Sequence, residues 1–270
     1  TQQAAQRAVS EKIAPGDRAI GAMAMVEPGS GKIKAIAISR PFGTDLAAGQ
    51  TMINDAVDAD RGGAVGPQPG STMKVFVLAA AIQQHIPLDT QIHGPSSISL
   101  NGPFTTCEGI VRDPWTLRSS TGSGVYDIRT GTYASQNTFY AQLEQRTGIC
   151  DPFKIATAAG LTQTDGKPLE QVKSFVLGVN PVSPLSIAEA FATFAAEGVH
   201  CNSIAVTEII DRNGAPIPVR GADCAPIMDK GVAQTVNEVL QGVMTQGTGR
   251  RAQIGRPAAG ETVVVSAAAG

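Results

Sequence analysis

The segment Val75-Phe76-Val77-Leu78-Ala79-Ala80-Ala81-Ile82 is apolar at every position. It follows a Pro69-Gly70 turn and ends before Pro87, so it reads as one helix from Ser71 to about His85. A helix that is apolar all round is a buried one, so the fold has to be built around it. Ser71 and Lys74 stand at its first turn. Residues three apart share a helix face, which puts the lysine amine within reach of the serine hydroxyl. That is a nucleophile beside a base, without histidine. A lysine opening a buried helix loses hydration, and its pKa falls toward the range where the amine can accept a proton. On spacing alone the pair is weak evidence, because a Ser-x-x-Lys occurs about once by chance in a chain of this length. The bland alternative is a capping serine beside a solvated lysine.

At 270 residues the chain has room for one large domain or two small ones. Its formal net charge is -2, with no block of like charge, which argues against nucleic acid or a polybasic membrane surface as partner. No apolar run approaches the roughly 20 residues that span a bilayer. Thr1-Gln2-Gln3-Ala4-Ala5 has neither the basic start nor the apolar centre of a signal peptide; any export signal or anchor is expected upstream of residue 1.

Cys107, Cys150, Cys201 and Cys224 contain no Cys-x-x-Cys pair, and no histidine lies at zinc-finger spacing. An even count at wide separation fits two disulfides and an oxidising compartment; four buried thiols are the alternative. Of the three pairings four cysteines permit, Cys107–Cys150 with Cys201–Cys224 is favoured. The second would close a short loop around Asp211-Arg212-Asn213-Gly214, a hairpin tip. No metal site is expected.

Along the chain, Thr1 to Ile13 has helical spacing, and residues 20–40 read as a β-hairpin turning at Pro28-Gly29-Ser30-Gly31. Residues 41–70 form a long irregular connection. Residues 87–132, rich in Pro, Gly, Ser and Thr, read as loops and short helical turns. Helical spacing returns at 134–147, 152–159, 185–197 and 229–245, and a hairpin is expected around Asn213-Gly214. Thr262 to Val265 is a short β-branched strand. Strands near both ends around a helical middle (71–200) predict an α/β, more strictly α+β, fold, with an antiparallel sheet built from both termini and an inserted helical subregion. His85, His93 and His200 lack motif context and are expected in surface or capping roles. Trp115 either lines a groove or packs. Asp113 and Glu108 lack the spacing of a glycosidase carboxylate pair.

With these segments placed, the chain resembles penicillin-binding protein transpeptidase domains over about residues 1–260, most closely those of bifunctional, high-molecular-mass actinobacterial enzymes. Gln68-Pro69-Gly70-Ser71-Thr72-Met73-Lys74 is similar to their Ser-x-x-Lys motif. Ser135-Gln136-Asn137, 61 residues beyond Lys74, is similar to their Ser-x-Asn. The stretches Pro28 to Ile33, Leu177 to Leu185, Ala190 to Ala195, and Thr248-Gly249-Arg250 with Gly255 to Gly260 resemble further parts of that domain, and the cysteine placement suits the group.

The resemblance implies Ser71 as acylated nucleophile, Lys74 as general base, Ser135 as proton relay to the leaving amine, and Asn137 as a ligand of the substrate amide. Taken alone, Ser135 and Asn137 would be read as a helix N-cap. Where the family has Lys-Thr-Gly, this chain has Glu261-Thr262-Val263. The threonine is kept, while the cation for the substrate carboxylate and the glycine that admits the substrate backbone are not. The Val264 N–H could still complete an oxyanion hole with that of Ser71. Residues 1–270 are expected to be one transpeptidase-like domain lacking its final strands and helix. The implied activity is D,D-transpeptidation of peptidoglycan stem peptides, with covalent β-lactam binding and no cofactor. Other cell-wall synthesis proteins are implied partners, and the setting is extracytoplasmic and membrane-anchored in the full-length protein. The alternatives are a catalytically impaired scaffold homologue, for which Glu261 and Val263 speak, and a D,D-carboxypeptidase or β-lactamase-like hydrolase.

Overall fold

The computed structural model describes residues 1–252. Helix α1 (Gln2–Ser10) precedes the hairpin β1 (Ala22–Val26) and β2 (Ile33–Ile38). A 3-10 turn, Gly70–Met73, leads into α2 (Lys74–Gln83). Strands β3 (Ile92–Gly94), β4 (Ser97–Leu100), β5 (Phe104–Thr105), β6 (Ile110–Val111), β7 (Trp115–Arg118) and β8 (Gly124–Tyr126) follow. Then come helices α3 (Ile128–Tyr133), α4 (Asn137–Thr147) and α5 (Cys150–Ala158), a 3-10 turn at Phe175–Leu177, and α6 (Pro184–Ala195). Short strands β9 (Val199–His200), β10 (Ile209–Ile210), β11 (Pro216–Ile217) and β12 (Ala225–Pro226) lead to α7 (Lys230–Thr245). The elements fall into two compact units, one of residues 1–67, 159–168 and 181–227, the other of residues 68–158, 169–180 and the described residues from Met228 onward.

In the first unit β1 and β2 pair antiparallel, with Ala24 opposite Ile36. Ala5 and Val9 of α1 pack on Ala35 and Ala37 of β2. The Gln2 side chain completes the free edge of β2, donating to the Ile36 carbonyl at 2.8 Å and accepting its N–H at 2.9 Å. An exposed strand edge is thereby covered. The opposite side of the hairpin meets Leu185 of α6 through Val26 and Ile33. Ser183 caps α6, accepting the Ser186 N–H at 3.2 Å, and Pro184 takes the first helical position, where its missing N–H costs nothing. His200 is not at the surface as expected. It is 9% exposed, 3.6 Å from a Glu189 carboxylate oxygen and 3.2 Å from the Thr193 hydroxyl. The helix-to-strand turn after α6 folds it back onto that helix, a contact no sequence spacing encodes. The expected C-terminal partner strand, Thr262 to Val265, lies outside the described residues.

In the second unit α2 is buried from Lys74 to Ala81, as its apolar run requires, with α4, α5 and α7 against it. The α2 helix ends with His85 in the left-handed region at φ 58°, a C-terminal capping position. Residues 92–126 correct the sequence reading. They form nested antiparallel pairs, β5 with β6, β4 with β7 and β3 with β8, making one interrupted two-stranded ribbon. Each strand is two to four residues long, too short to display a period of two, and its partner lies many residues away, so the Pro- and Gly-rich composition suggested loops. Trp115 packs edge-on to Phe104 at 5.9 Å between centroids.

Two disulfides close the pairs favoured from sequence. Cys107–Cys150 joins the ribbon's tip to the start of α5, and Cys201–Cys224 lies within the first unit. Cys201 and Cys224 are 23 residues apart. In the chain-entropy account, opening such a loop costs about 3 kcal/mol. Replacing both cysteines by serine should lower the unfolding free energy by about that amount in a denaturant titration; a loss below about 1 kcal/mol would show that the loop is restrained by other contacts.

Candidate active site

The site is built in the second unit, at three element boundaries. Ser71 lies in the Gly70–Met73 turn and Lys74 opens α2. In a 3-10 turn side chains three apart nearly eclipse, and the Lys74 amine is 3.0 Å from the Ser71 hydroxyl oxygen. Gly70, at φ 59°, is pressed on Gly178, at φ 71°. The Gly70 N–H donates to the Gly178 carbonyl at 3.4 Å, and a Cβ on Gly178 would stand 2.3 Å from the Gly70 carbonyl oxygen. The contact requires glycine at 178, while at 70 a Cβ would meet nothing and glycine is favoured only by the positive φ.

Ser135 is set by the end of α3. Its N–H donates to the Thr132 carbonyl and the Gln136 N–H to the Gly131 carbonyl, both at 3.0 Å. These are the paired bonds of a Schellman motif, whose penultimate residue is left-handed and usually glycine. Ser135 occupies that position at φ 49°. The residue capping α4 is not Ser135, as its residue type suggests in isolation, but Gln136, whose side-chain oxygen accepts the N–H groups of Thr138 and Phe139 at 2.8 and 3.2 Å. Asn137 is the first residue of α4.

All four residues meet at one amine. Besides Ser71, Lys74 donates to the Ser135 carbonyl at 2.7 Å, to the Ser135 hydroxyl at 3.0 Å and to Asn137 Oδ1 at 2.7 Å. Lys74 is 4% exposed, and among the described residues no carboxylate is paired with it. Burial lowers its pKa from 10.5 to about 7, a change worth about 5 kcal/mol. The Tyr140 ring lies 5.5 Å from the amine and, at a desolvated site, favours the charged form by about 2 kcal/mol, less than the cost of desolvation, so desolvation wins. A protonated amine has three donors for four oxygens. The neutral amine donates two and offers its lone pair to a hydroxyl, so the geometry suits proton removal from Ser71.

Tyr140 and Glu144, read from sequence only as part of a helical pattern, support this arrangement. The Tyr140 hydroxyl is 2.6 Å from that of Thr132, and burial pushes its phenol above its ordinary pKa. Glu144 is fully buried, and burial raises its carboxyl pKa well above the usual range. It accepts the Val176 N–H at 2.9 Å, tying α4 to the turn that precedes Gly178. The spacing of Glu144 seven residues after Asn137, two helical turns on, was the available signal. Glu261, Thr262, Val263 and Val264, the third-motif positions, lie outside the described residues. Among the described residues no cluster of His, Cys, Asp or Glu could hold a metal ion.

Residues 21–267 match the family described as the penicillin-binding protein transpeptidase domain. The chain belongs to that family. It is 28% identical over 241 residues to penicillin-binding protein 1A of Neisseria meningitidis, covering 86% of this chain and 27% of that protein. It is 30% identical over 216 residues to penicillin-binding protein 1A of the actinobacterium Mycolicibacterium smegmatis, covering 74% and 26%. The chain thus spans about a quarter of these curated relatives. The fold is similar to penicillin-binding protein 3 of Mycobacterium tuberculosis, with TM-score 0.74 and 18% identity over 93% of this chain and 60% of that one. That protein has also been solved with aztreonam and with ampicillin. At this identity the likeness bears on the fold, which is the α+β architecture of transpeptidase domains.

Because Ser135 occupies a left-handed position, the usual ranking of small residues should invert there. Ser135→Gly should be more stable than Ser135→Ala by about 1 kcal/mol, measured by urea unfolding. The opposite order would mean that the turn changes conformation in the variants.

Proposed function

We propose that this chain is the catalytic domain of a D,D-transpeptidase that cross-links peptidoglycan through an acyl-Ser71 intermediate, and that β-lactams acylate the same serine. The observation carrying the proposal is the Lys74 amine, buried, without a carboxylate partner among the described residues, and 3.0 Å from the hydroxyl oxygens of both Ser71 and Ser135. Neutral Lys74 takes the Ser71 proton as Oγ bonds to the penultimate D-Ala carbonyl carbon. The negative charge on the tetrahedral oxygen falls at the helix start, where N–H groups favour it. The Lys74 proton passes through the Ser135 hydroxyl to the leaving D-Ala nitrogen as the C–N bond breaks. An amine from a neighbouring stem peptide then attacks the ester, and the proton transfers run in reverse to restore Ser71. Asn137 Nδ2 faces the Arg118 carbonyl at 3.5 Å, a long bond that it can exchange for the substrate amide. The ampicillin and aztreonam complexes of the mycobacterial relative are consistent with β-lactams as ligands here.

Two disulfides suit an extracytoplasmic setting. Among the described residues no helix is long and apolar enough to cross a membrane; membrane anchoring of the full-length protein is part of the proposal. Hydrolysis as the main outcome is disfavoured, since among the described residues no carboxylate is hydrogen-bonded to Ser71, Lys74, Ser135 or Asn137.

Fluorescent penicillin should label the protein stably, and Ser71→Ala should abolish the label. The second-order acylation rate should rise about tenfold per pH unit below about 7 and level off above it, because only the neutral amine accepts the proton. A pH-independent rate between 5 and 9, or label retained in Ser71→Ala, would rule out this assignment.

The second reading, an impaired scaffold homologue, is favoured by Glu261 and Val263. A carboxylate in place of a lysine repels the substrate's own carboxylate, on the order of a hundredfold in acylation rate. Glu261→Lys should therefore speed acylation by penicillin, and adding Val263→Gly should speed it further. An unchanged rate in a well-folded double variant would show that residues 261–263 are not the third motif.

A further inference from the structure

The residue that the Ser-x-Asn pattern leaves open has every hydrogen-bonding group of its side chain engaged. Gln136 is 0% exposed. Its oxygen accepts the Thr138 and Phe139 N–H groups, and both its amide protons are used, one on the Gly94 carbonyl at 3.1 Å and one on the Gly122 carbonyl at 2.9 Å. A serine, threonine or aspartate would cap α4 equally well, but none of them is long enough to cap the helix and also reach two other backbone segments. The strand side is shaped to receive the amide, since a Cβ on Gly94 would stand 3.1 Å from Gln136 Cδ and Nε2.

The backbone of the same residue acts in the other direction. Its N–H closes the end of α3 on Gly131, the bond that keeps Ser135 left-handed. Of the four oxygens around the Lys74 amine, three belong to the residues on either side of Gln136, namely the Ser135 carbonyl, the Ser135 hydroxyl and Asn137 Oδ1. Segment 118–122 is held to this motif at both ends, through Asn137 on the Arg118 carbonyl and Gln136 on the Gly122 carbonyl.

We infer that Gln136 is a positioning residue for acylation, its amide locking the ribbon backbone to the α3–α4 junction so that Ser135 and Asn137 stay arrayed around the Lys74 amine. The inference rests on the acyl-transfer reading given above. Gln136 does not touch the reacting atoms; it acts through its two neighbours.

The test uses Gln136→Met, which keeps the volume and removes every side-chain hydrogen bond, and Gln136→Glu, which keeps the cap and, when ionised, turns two donors into a carboxylate facing two carbonyls. Stopped-flow acylation by a fluorescent penicillin separates the non-covalent dissociation constant from the acylation step. The expected result for Gln136→Met is an acylation step at least 30-fold slower with the dissociation constant within threefold of wild type. Gln136→Glu should be less impaired at pH 5.5 than at pH 8, each relative to wild type at that pH, because the protonated acid restores one donor. An acylation step within threefold of wild type in Gln136→Met overturns the inference. So does a parallel loss of binding and acylation, or failure of both variants to unfold cooperatively, either of which makes Gln136 a folding determinant only. If wild-type protein takes no label, the acyl-transfer reading fails by itself. The inference is then decided by NMR titration of the Lys74 amine: an upward displacement of one pH unit or more in Gln136→Met supports it, and an unchanged midpoint overturns it.

Discussion

Everything at the candidate site depends on keeping one ammonium group out of water without giving it an anion. An ion pair would hold Lys74 charged, and hydration would do the same. Among the described residues the chain avoids both by starting α2 inside the second unit and surrounding the amine with neutral oxygens and the face of Tyr140. Neutral acceptors orient the amine and favour its charged form much less than an anion would. The nearby acid Glu144 is shifted by the same burial, its pKa raised by desolvation, and it braces α4 against the turn before Gly178 by accepting the Val176 N–H.

The nucleophile and its base were legible because both lie on one short local element, where spacing alone fixes distance. The hairpin at 20–40, helix α6 and helix α7 were legible for the same reason, being long enough to show a period and bounded by turn or capping residues. The ribbon at 92–126 was not, since its two- to four-residue strands acquire their character from partners across the chain. The role of Gln136 was hidden by its type. Glutamine is not a usual N-cap, and its other two bonds go to Gly94 and Gly122, backbone groups whose positions only the fold supplies. His200 illustrates the reverse case, an isolated histidine whose buried partners Glu189 and Thr193 come from the helix that precedes it.

Ser135 shows where local preference yields to chemistry. A Schellman end asks for glycine, and Ser135 bears a side chain there at φ 49°. The left-handed geometry turns both its carbonyl and its hydroxyl onto the same amine, which a helical or extended serine would not do. Departures from local rules that concentrate at a site mark where structure has been arranged around reactivity.

The bond between Cys107 and Cys150 has a topological consequence. It makes residues 107–150 a closed ring, and that ring contains Ser135, Gln136, Asn137, Tyr140 and Glu144. Half of the candidate site is therefore on a covalent circuit, while Ser71 and Lys74 lie outside it. When the unit opens locally, the ring limits the volume its members can explore, so their effective concentration near one another stays high. Reassembly then amounts to docking one preassembled piece, the ring, against the first turn of α2, in place of a search by four independent side chains.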